Sequence, residues 1–237
     1  RMSMAANEFE GFQVVVYPMR QALKDVQLRV SDLAGENGRT IPASDVSYFV
    51  EDTYPMRRNW MTQELMFGGK VYETTDPLLP ANPVTLPRHV HTPFYVVVRA
   101  RPGTVPGVYR GKITISDSVR ALKRLDLEVK VWPYEIPEKW NFHSMGQFIW
   151  GNVAKFHGED PGTGLYQKYF DFLMEHRFSP TEQYAKILSP RTDLAELLRR
   201  GMNTVYLSGN FDGTEKELGQ LKESHETVKK LGALDHT

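Results

Sequence analysis

The pattern of apolar and polar positions along this chain changes period once, near residue 137. Before that point apolar residues come in short runs or in alternation. Phe9 to Tyr17 is a near-continuous apolar run rich in β-branched and aromatic residues, and Phe94 to Ala100 repeats the texture; such runs predict strands. Over Val108 to Ile115, Tyr109, Ile113 and Ile115 fall on one face and Arg110, Lys112 and Thr114 on the other. Leu125, Leu127, Val129 and Val131 alternate with Asp126, Glu128 and Lys130, so this strand buries one face and wets the other. Gly35-Glu36-Asn37-Gly38 and Pro106-Gly107 supply turns. Several such strands without a helical period predict an antiparallel β-sandwich. Thr53 to Pro87 reads as a long loop with one or two short strands, interrupted by Pro55, Gly68-Gly69 and Asp76-Pro77-Leu78-Leu79-Pro80.

Trp132-Pro133-Tyr134-Glu135-Ile136-Pro137 is the predicted boundary, because two prolines within five residues stop a ladder and stiffen the exit. Beyond it the period becomes 3.6. Met145 to Trp150 reads as a short strand, followed by a helix with Leu165, Tyr169, Phe172, Leu173 and His176 on one face. Phe178 to Tyr184 reads as a second strand. Ser189-Pro190 reads as the start of a helix carrying Leu194, Leu197 and Leu198, with Gly201 just past its end. Met202 to Leu207 is the third predicted strand. Thr214 and Glu217 form a capping box for a helix with Leu218, Leu221, Val228 and Leu231 inward and Gly232 closing it. Strand-helix alternation at this spacing means parallel βα units. The expected organisation is a sandwich over residues 1–137 and the first three to four units of a TIM-type (β/α) barrel over 138–237. A full barrel takes roughly 250 residues, so the natural polypeptide is expected to continue.

Composition narrows the function classes. The 29 basic and 29 acidic residues balance to zero, which gives no electrostatic footprint for nucleic acid or an anionic membrane. No stretch approaches the roughly 18 consecutive apolar residues that cross a bilayer. The absence of cysteine excludes disulfide scaffolds, thiolate metal sites and cysteine nucleophiles, and no glycine-rich phosphate loop, GxSxG elbow or HExxH is present. No metal or cofactor is expected.

Several motifs, taken in order, resemble glycoside hydrolase family 123 and its relatives. Asn7-Glu8-Phe9-Glu10-Gly11-Phe12-Gln13-Val14-Val15-Val16 is similar to the opening strand of that family's N-terminal sandwich, Asp76-Pro77-Leu78-Leu79-Pro80 to one of its loops, and Pro106-Gly107-Val108-Tyr109-Arg110-Gly111 to its "PxGxYRG" turn and strand. Glu175-His176-Arg177-Phe178-Ser179-Pro180 resembles the junction between the first helix and second strand of the associated barrel. The resemblance implies a secreted or periplasmic enzyme that hydrolyses β-linked N-acetylgalactosaminides with retention. The substrate's acetamido oxygen would be the nucleophile, an Asp would orient it and an adjacent Glu would be the acid/base. The strand expected to carry that pair begins at Ala233-Leu234-Asp235, so the pair would follow Thr237 and no catalytic residue is assigned.

Residues at the C-terminal ends of the predicted barrel strands are the candidate substrate contacts: Gln147, Trp150 and Asn152 on the first, Gln183 and Tyr184 on the second, Asn210 on the third. An indole stacks on a pyranose face, and amides both donate to and accept from hydroxyls. Trp150 equally suits packing, Asn152 a turn, and Asn210 with Asp212 ordinary turn chemistry. Glu182 is an isolated carboxylate; Glu51-Asp52 and Glu159-Asp160 read as solvated pairs, and His89-Val90-His91 as a loop. The partner expected is an oligosaccharide or glycoconjugate. A non-catalytic carbohydrate-binding protein using loops around Trp60 to Tyr72, or a barrel enzyme such as a glycan lyase, are the rival readings.

Overall fold

Alternation along the N-terminal strands puts apolar side chains on one face, and two sheets bury those faces together. The computed structural model describes residues 1–55, 73–158, 162–182, 193–207 and 213–233. Its contacts divide the chain into two units, Arg1–Ile136 and Pro137–Thr237. The first is β-rich: β1 (Met2–Ala6), β2 (Glu8–Val16), β3 (Leu23–Val30), β4 (Leu33–Gly35), β5 (Thr40–Ile41), β6 (Val46–Pro55), β7 (Glu73–Leu79), β8 (Val84–Leu86), β9 (Thr92–Ala100), β10 (Gly107–Ser116) and β11 (Ala121–Glu135). One sheet runs β1-β11-β10-β3-β8, with β4 on β10 and β5 on β4; the other runs β2-β9-β6-β7. Phe94, Val96 and Val98 of the second sheet share one core with Val26, Leu28, Tyr109, Ile113 and Val129 of the first. Each such side chain contributes about 1.5–3 kcal/mol when fully buried.

Four details depart from the sequence reading. β1 pairs with β11 in parallel, so the larger sheet is mixed; more than a hundred residues separate the two strands, so no hairpin constrains their direction. Pro133 does not stop β11. The strand continues to Glu135, and the ladder with β1 absorbs the proline in a register irregularity between Met4 and Ala6. Pro77 lies within β7, the edge strand of its sheet, where a missing N–H is tolerated. Glu51 is 9% exposed on β6 and accepts two hydrogen bonds of 2.8 Å from the Gln13 amide, so it is no solvated loop residue.

The motifs that carry the family resemblance answer to backbone geometry. Asn7 turns between β1 and β2 with φ of 57° and donates to the Ile136 carbonyl at 2.8 Å, a conformation asparagine tolerates better than most residues. Phe9 lies beneath the Arg99 guanidinium. Gly11 makes room for Tyr95, whose hydroxyl would sit 2.2 Å from an added Cβ. In the second motif, Gly107 adopts φ of 153°, and buried Tyr109 donates to the Val105 carbonyl at 2.6 Å; burial pushes its phenol pKa up. Arg110 pairs with Glu128. Gly111 lies where β3 gives way to β4, and a Cβ there would be 2.4 Å from Leu33 Cδ2 and 2.9 Å from the Asp32 carbonyl.

The second unit contains β12 (Met145–Phe148), α1 (Trp150–His157), α2 (Gly162–Glu175), β13 (Ser179–Glu182), α3 (Leu194–Arg199) and α4 (Glu215–Lys230). β12 and β13 pair in parallel, so α1 and α2 form the crossover between them. The α2 face that is buried is Tyr166, Phe170 and Met174, with Leu165 and Tyr169 beside it; Phe172, expected inward, is 60% exposed. Gly146 on β12 lets α2 come close, since a Cβ there would meet the Leu173 side chain at 2.6 Å. α3 is capped by Asp193 through a 3.0 Å bond from Glu196 N–H; Ser189 and Pro190 lie outside the described residues. It ends at Gly201, where the Gly201 and Met202 N–H groups return to Leu198 and Leu197. Thr214 caps α4 through Glu217 N–H, and Gly232 and Ala233 close it the same way. On α4, Ser224 and Val228 are the buried pair, while Leu218 and Leu231 are each 42% exposed. Met202 to Leu207, expected as a third strand, makes no strand ladder among the described residues.

Two measurements test these packing arguments. Gly111→Ala should lower stability by about 1–3 kcal/mol, because the obstructing atoms include backbone, and a denaturant titration reads that loss directly. Asp171 on α2 holds Arg200 at 2.6 Å. Burial pushes the Asp171 carboxyl up, but the hydrogen bonds from Arg200 and Gln167 outweigh it and hold the pKa below the usual carboxylate value. The resulting stability is fully present above the unfolded value of about 3.9 and is lost as pH falls through the lower folded value. Arg200→Ala should therefore shrink the difference in melting temperature between pH 6 and pH 3, and an unchanged difference would exclude the pair as a contributor.

Candidate functional site

In a parallel βα arrangement the C-terminal ends of the strands and the loops after them are where ligands are met. Here that edge is formed by Phe148 at the end of β12 and Glu182 at the end of β13, which lie opposite each other, with Gln147 opposite Thr181 one step behind. Gln147 is exposed and its amide makes only a 3.9 Å approach to Met145 Sδ. After Phe148 the chain takes one residue, Ile149, as helix cap and enters α1. Trp150 therefore opens a helix instead of ending a strand. Asn152 belongs to the first turn of that helix, with its N–H 2.9 Å from the Ile149 carbonyl and its side chain exposed. Gln147 and Asn152 thus present two exposed amides within one strand-to-helix transition. Gln183, Tyr184 and Asn210, with Asp212, lie outside the described residues, as does the Trp60 to Tyr72 segment.

Beneath this edge an aromatic cluster makes the floor. The Phe148 ring lies 5.5 Å from Tyr166, 5.5 Å from Tyr169 and 5.6 Å from Phe170, separations at which aromatic pairs attract in tilted and edge-on arrangements. Tyr169 OH lies 3.2 Å from His157 Nε2, which ties the end of α1 to α2. The sequence reading placed Tyr169 on the helical face but missed its histidine partner, since pairing across the α1–α2 connection leaves no local signature.

The opposite, N-terminal end of the strand pair holds a buried polar network. Asn203 Nδ2 donates to the carbonyls of Trp140 at 2.9 Å and Phe142 at 3.0 Å. Ser179 Oγ, fully buried, donates to Asn203 Oδ1 at 3.2 Å and accepts from the N–H groups of Asn203 and Thr204. Ser144 Oγ donates to the Arg177 carbonyl at 2.6 Å, next to the left-handed turn that Arg177 makes after α2. These bonds tie the segments that lead into β12 and β13 to one another and to Asn203. They belong to the support of the edge, not to its chemistry.

A general acid needs a carboxyl held above its ordinary value. The two described carboxyls with a displaced pKa, Asp117 and Asp171, are both held low, the first by N–H groups of Arg120 and Val119 in a turn. No group of three or more His, Asp or Glu side chains among the described residues is arranged to hold a metal ion. His89 and His91 flank Tyr17, the first near its hydroxyl and the second stacked on its ring at 4.3 Å. No described helix is long and apolar enough to cross a membrane.

No protein-family model matches the chain, and no curated protein matches it in sequence. Among solved structures, a family 123 glycoside hydrolase from Clostridium perfringens, studied for glycolipid glycan hydrolysis, superposes on 73% of this chain with a TM-score of 0.58 and 13% identity. That share is larger than Arg1–Ile136 can supply, so the likeness extends into the second unit. The match occupies 29% of the enzyme's own length. At this identity the likeness is one of fold. AvmM, which catalyses macrocyclization in alchivemycin A biosynthesis, matches 57% of this chain and 87% of its own at a TM-score of 0.31 and 13% identity. PapD-like domain 7 of human CEP192 matches 57% of this chain and 79% of its own at 0.26 and 12%. Neither score carries an argument.

The network under the strand pair is open to test. Asn203→Asp keeps the shape but replaces two donors with acceptors facing the Trp140 and Phe142 carbonyls. It should cost about 2 kcal/mol or more, measured by thermal or denaturant unfolding, whereas Asn152→Asp on the exposed turn should fall within about 0.5 kcal/mol of the parent.

Proposed function

We propose that this chain is the N-terminal part of a secreted or periplasmic glycoside hydrolase similar to the family 123 enzymes, in which a β-sandwich precedes a TIM-type (β/α) barrel. The observation that carries the reading is the parallel β12–β13 pair with its helical crossover, following a two-sheet unit, in a chain whose fold likeness to a family 123 hydrolase extends past Ile136. The β12–β13 edge would then be part of the rim of a sugar pocket, with Gln147 and Asn152 hydrogen-bonding to hydroxyls, Trp150 stacking on a pyranose, and Gln183, Tyr184 and Asn210 completing the lining.

The reaction proposed is retaining hydrolysis of β-N-acetylgalactosaminides with the substrate acetamido oxygen as nucleophile. The orienting Asp and the acid/base Glu are assigned to residues outside these 237.

An aryl β-N-acetylgalactosaminide assay run on the 237-residue chain and on the longer natural polypeptide separates the outcomes. Turnover is expected only from the longer polypeptide, and Gln147→Ala in that context should reduce kcat/KM by roughly 5- to 50-fold, the equivalent of one lost hydrogen bond to substrate. Turnover by the 237 residues alone would sink the proposal.

A further inference from the structure

We propose that the outer face of the seven-stranded sheet binds an anionic sugar, holding a carboxylate or sulfate group of a glycan between Arg29 and Arg124. Thr114 on β10 lies directly opposite Arg124 on β11 and Arg29 on β3. Directly opposed residues share a face, so two guanidinium side chains flank one hydroxyl across two strand spacings, about 9.6 Å. Both arginines are exposed, and neither makes an ion pair among the described residues. The next cations along β10 are already engaged: Arg110 with Glu128 at 2.9 Å and Lys112 with Asp126 at 3.6 Å.

The arginines face a hollow. β3 leaves β10 after Val30 and β4 rejoins it at Ala34. In between, Ser31 Oγ accepts the Lys112 N–H at 3.0 Å while the chain passes over Gly111. The trough left at this step has a volume of about 590 Å³, and its lining includes Arg29, Arg110, Lys112, Thr114, Arg124 and Asp32, whose Oδ1 accepts the Ala43 N–H at 2.7 Å. Two like charges two strand spacings apart repel each other at low salt, and an anion between them offsets that repulsion. Guanidinium forks match the paired oxygens of carboxylate and sulfate, and the Thr114 hydroxyl adds a donor. Zero net charge gives no long-range field for a dense polyanion, and among the described residues no aromatic ring lines the trough to stack a base. The choice of a sugar as carrier of the anion rests on the carbohydrate reading above.

Calorimetric titration of the 237-residue chain at low salt tests this with a uronate oligosaccharide, a sulfated galactan oligosaccharide and a neutral chitin oligosaccharide. Binding of one or both anionic sugars is expected, and which one binds identifies the group. The double variant Arg29→Ala/Arg124→Ala should weaken that binding roughly tenfold or more. Arg29→Lys/Arg124→Lys should restore only part of it. Lys123→Ala, which removes one positive charge next to Arg124 in sequence, should leave it intact. Unchanged melting temperatures in the variants would show that the loss is local. Failure of both anionic sugars to bind, equal binding by the double alanine variant, an equal loss in Lys123→Ala, or equally tight binding of inorganic sulfate or short single-stranded DNA would each overturn the proposal. No turnover is measured, so this result stands apart from success or failure of the hydrolase assay.

Discussion

Burial of two facing apolar rows, one from each sheet, is the interaction on which the first unit rests. Phe94, Val96 and Val98 on β9 and Val129 on β11 are completely buried in one shared core. Because strand side chains alternate, each of these positions forces its neighbours onto the outer faces. A register slip of one residue would reverse every such assignment. The glycine at 111 follows from the same demand, since it lets buried Leu33 lie close to the backbone of β10. The outer-face chemistry is thereby fixed as well. Arg29, Thr114 and Arg124 share a row because the buried residues beside them are locked into the core.

A second constraint shapes the other unit. Parallel strands cannot be joined by a tight hairpin, so the chain between Phe148 and Ser179 must leave the sheet and return. α2 makes that return by burying Tyr166, Phe170 and Met174, with Gly146 giving it close approach. The consequence is a division of labour along the strands. Their N-terminal ends are tied into a network in which Asn203 and Ser179 are buried. Their C-terminal ends open into a strand-to-helix transition with exposed amides. Rigidity at one end and availability at the other are produced by the same pair of strands.

Much of this was legible locally. Strict alternation from Val108 to Ile115 and from Leu125 to Val131 specifies the buried face of β10 and β11 without tertiary information. Helix ends were legible for the same reason: Thr214, Gly201 and Gly232 act on backbone groups within four residues of themselves. The rotation of α2 was not. Leu165, Tyr166, Tyr169, Phe170, Phe172 and Leu173 make an apolar arc too wide to define a single inward direction, and contact with the strands decides in favour of Tyr166 and Phe170. β1 was missed because Met2 to Ala6 is too short to show a period and gains its partner from the far end of the unit. Asn203 was invisible as a structural residue because its partners are backbone carbonyls some sixty residues earlier, and carbonyls leave no trace in side-chain patterns.

The candidate site was the least legible part, and the reason lies in what the recognisable motifs do. The Asn7–Gln13 and Pro106–Gly111 segments carry the family resemblance, yet most of their positions are accounted for by a turn, a close approach, a buried phenol or a surface ion pair. Motifs held in place by backbone sterics identify an architecture and are silent about which bond is broken. The amides at the end of β12 are the reverse case. Packing does not require Gln147 or Asn152, so nothing in their surroundings marks them except position on a strand end. A residue that folding does not need, placed where parallel strands deliver their ligands, is where a substrate preference can change without cost to the fold.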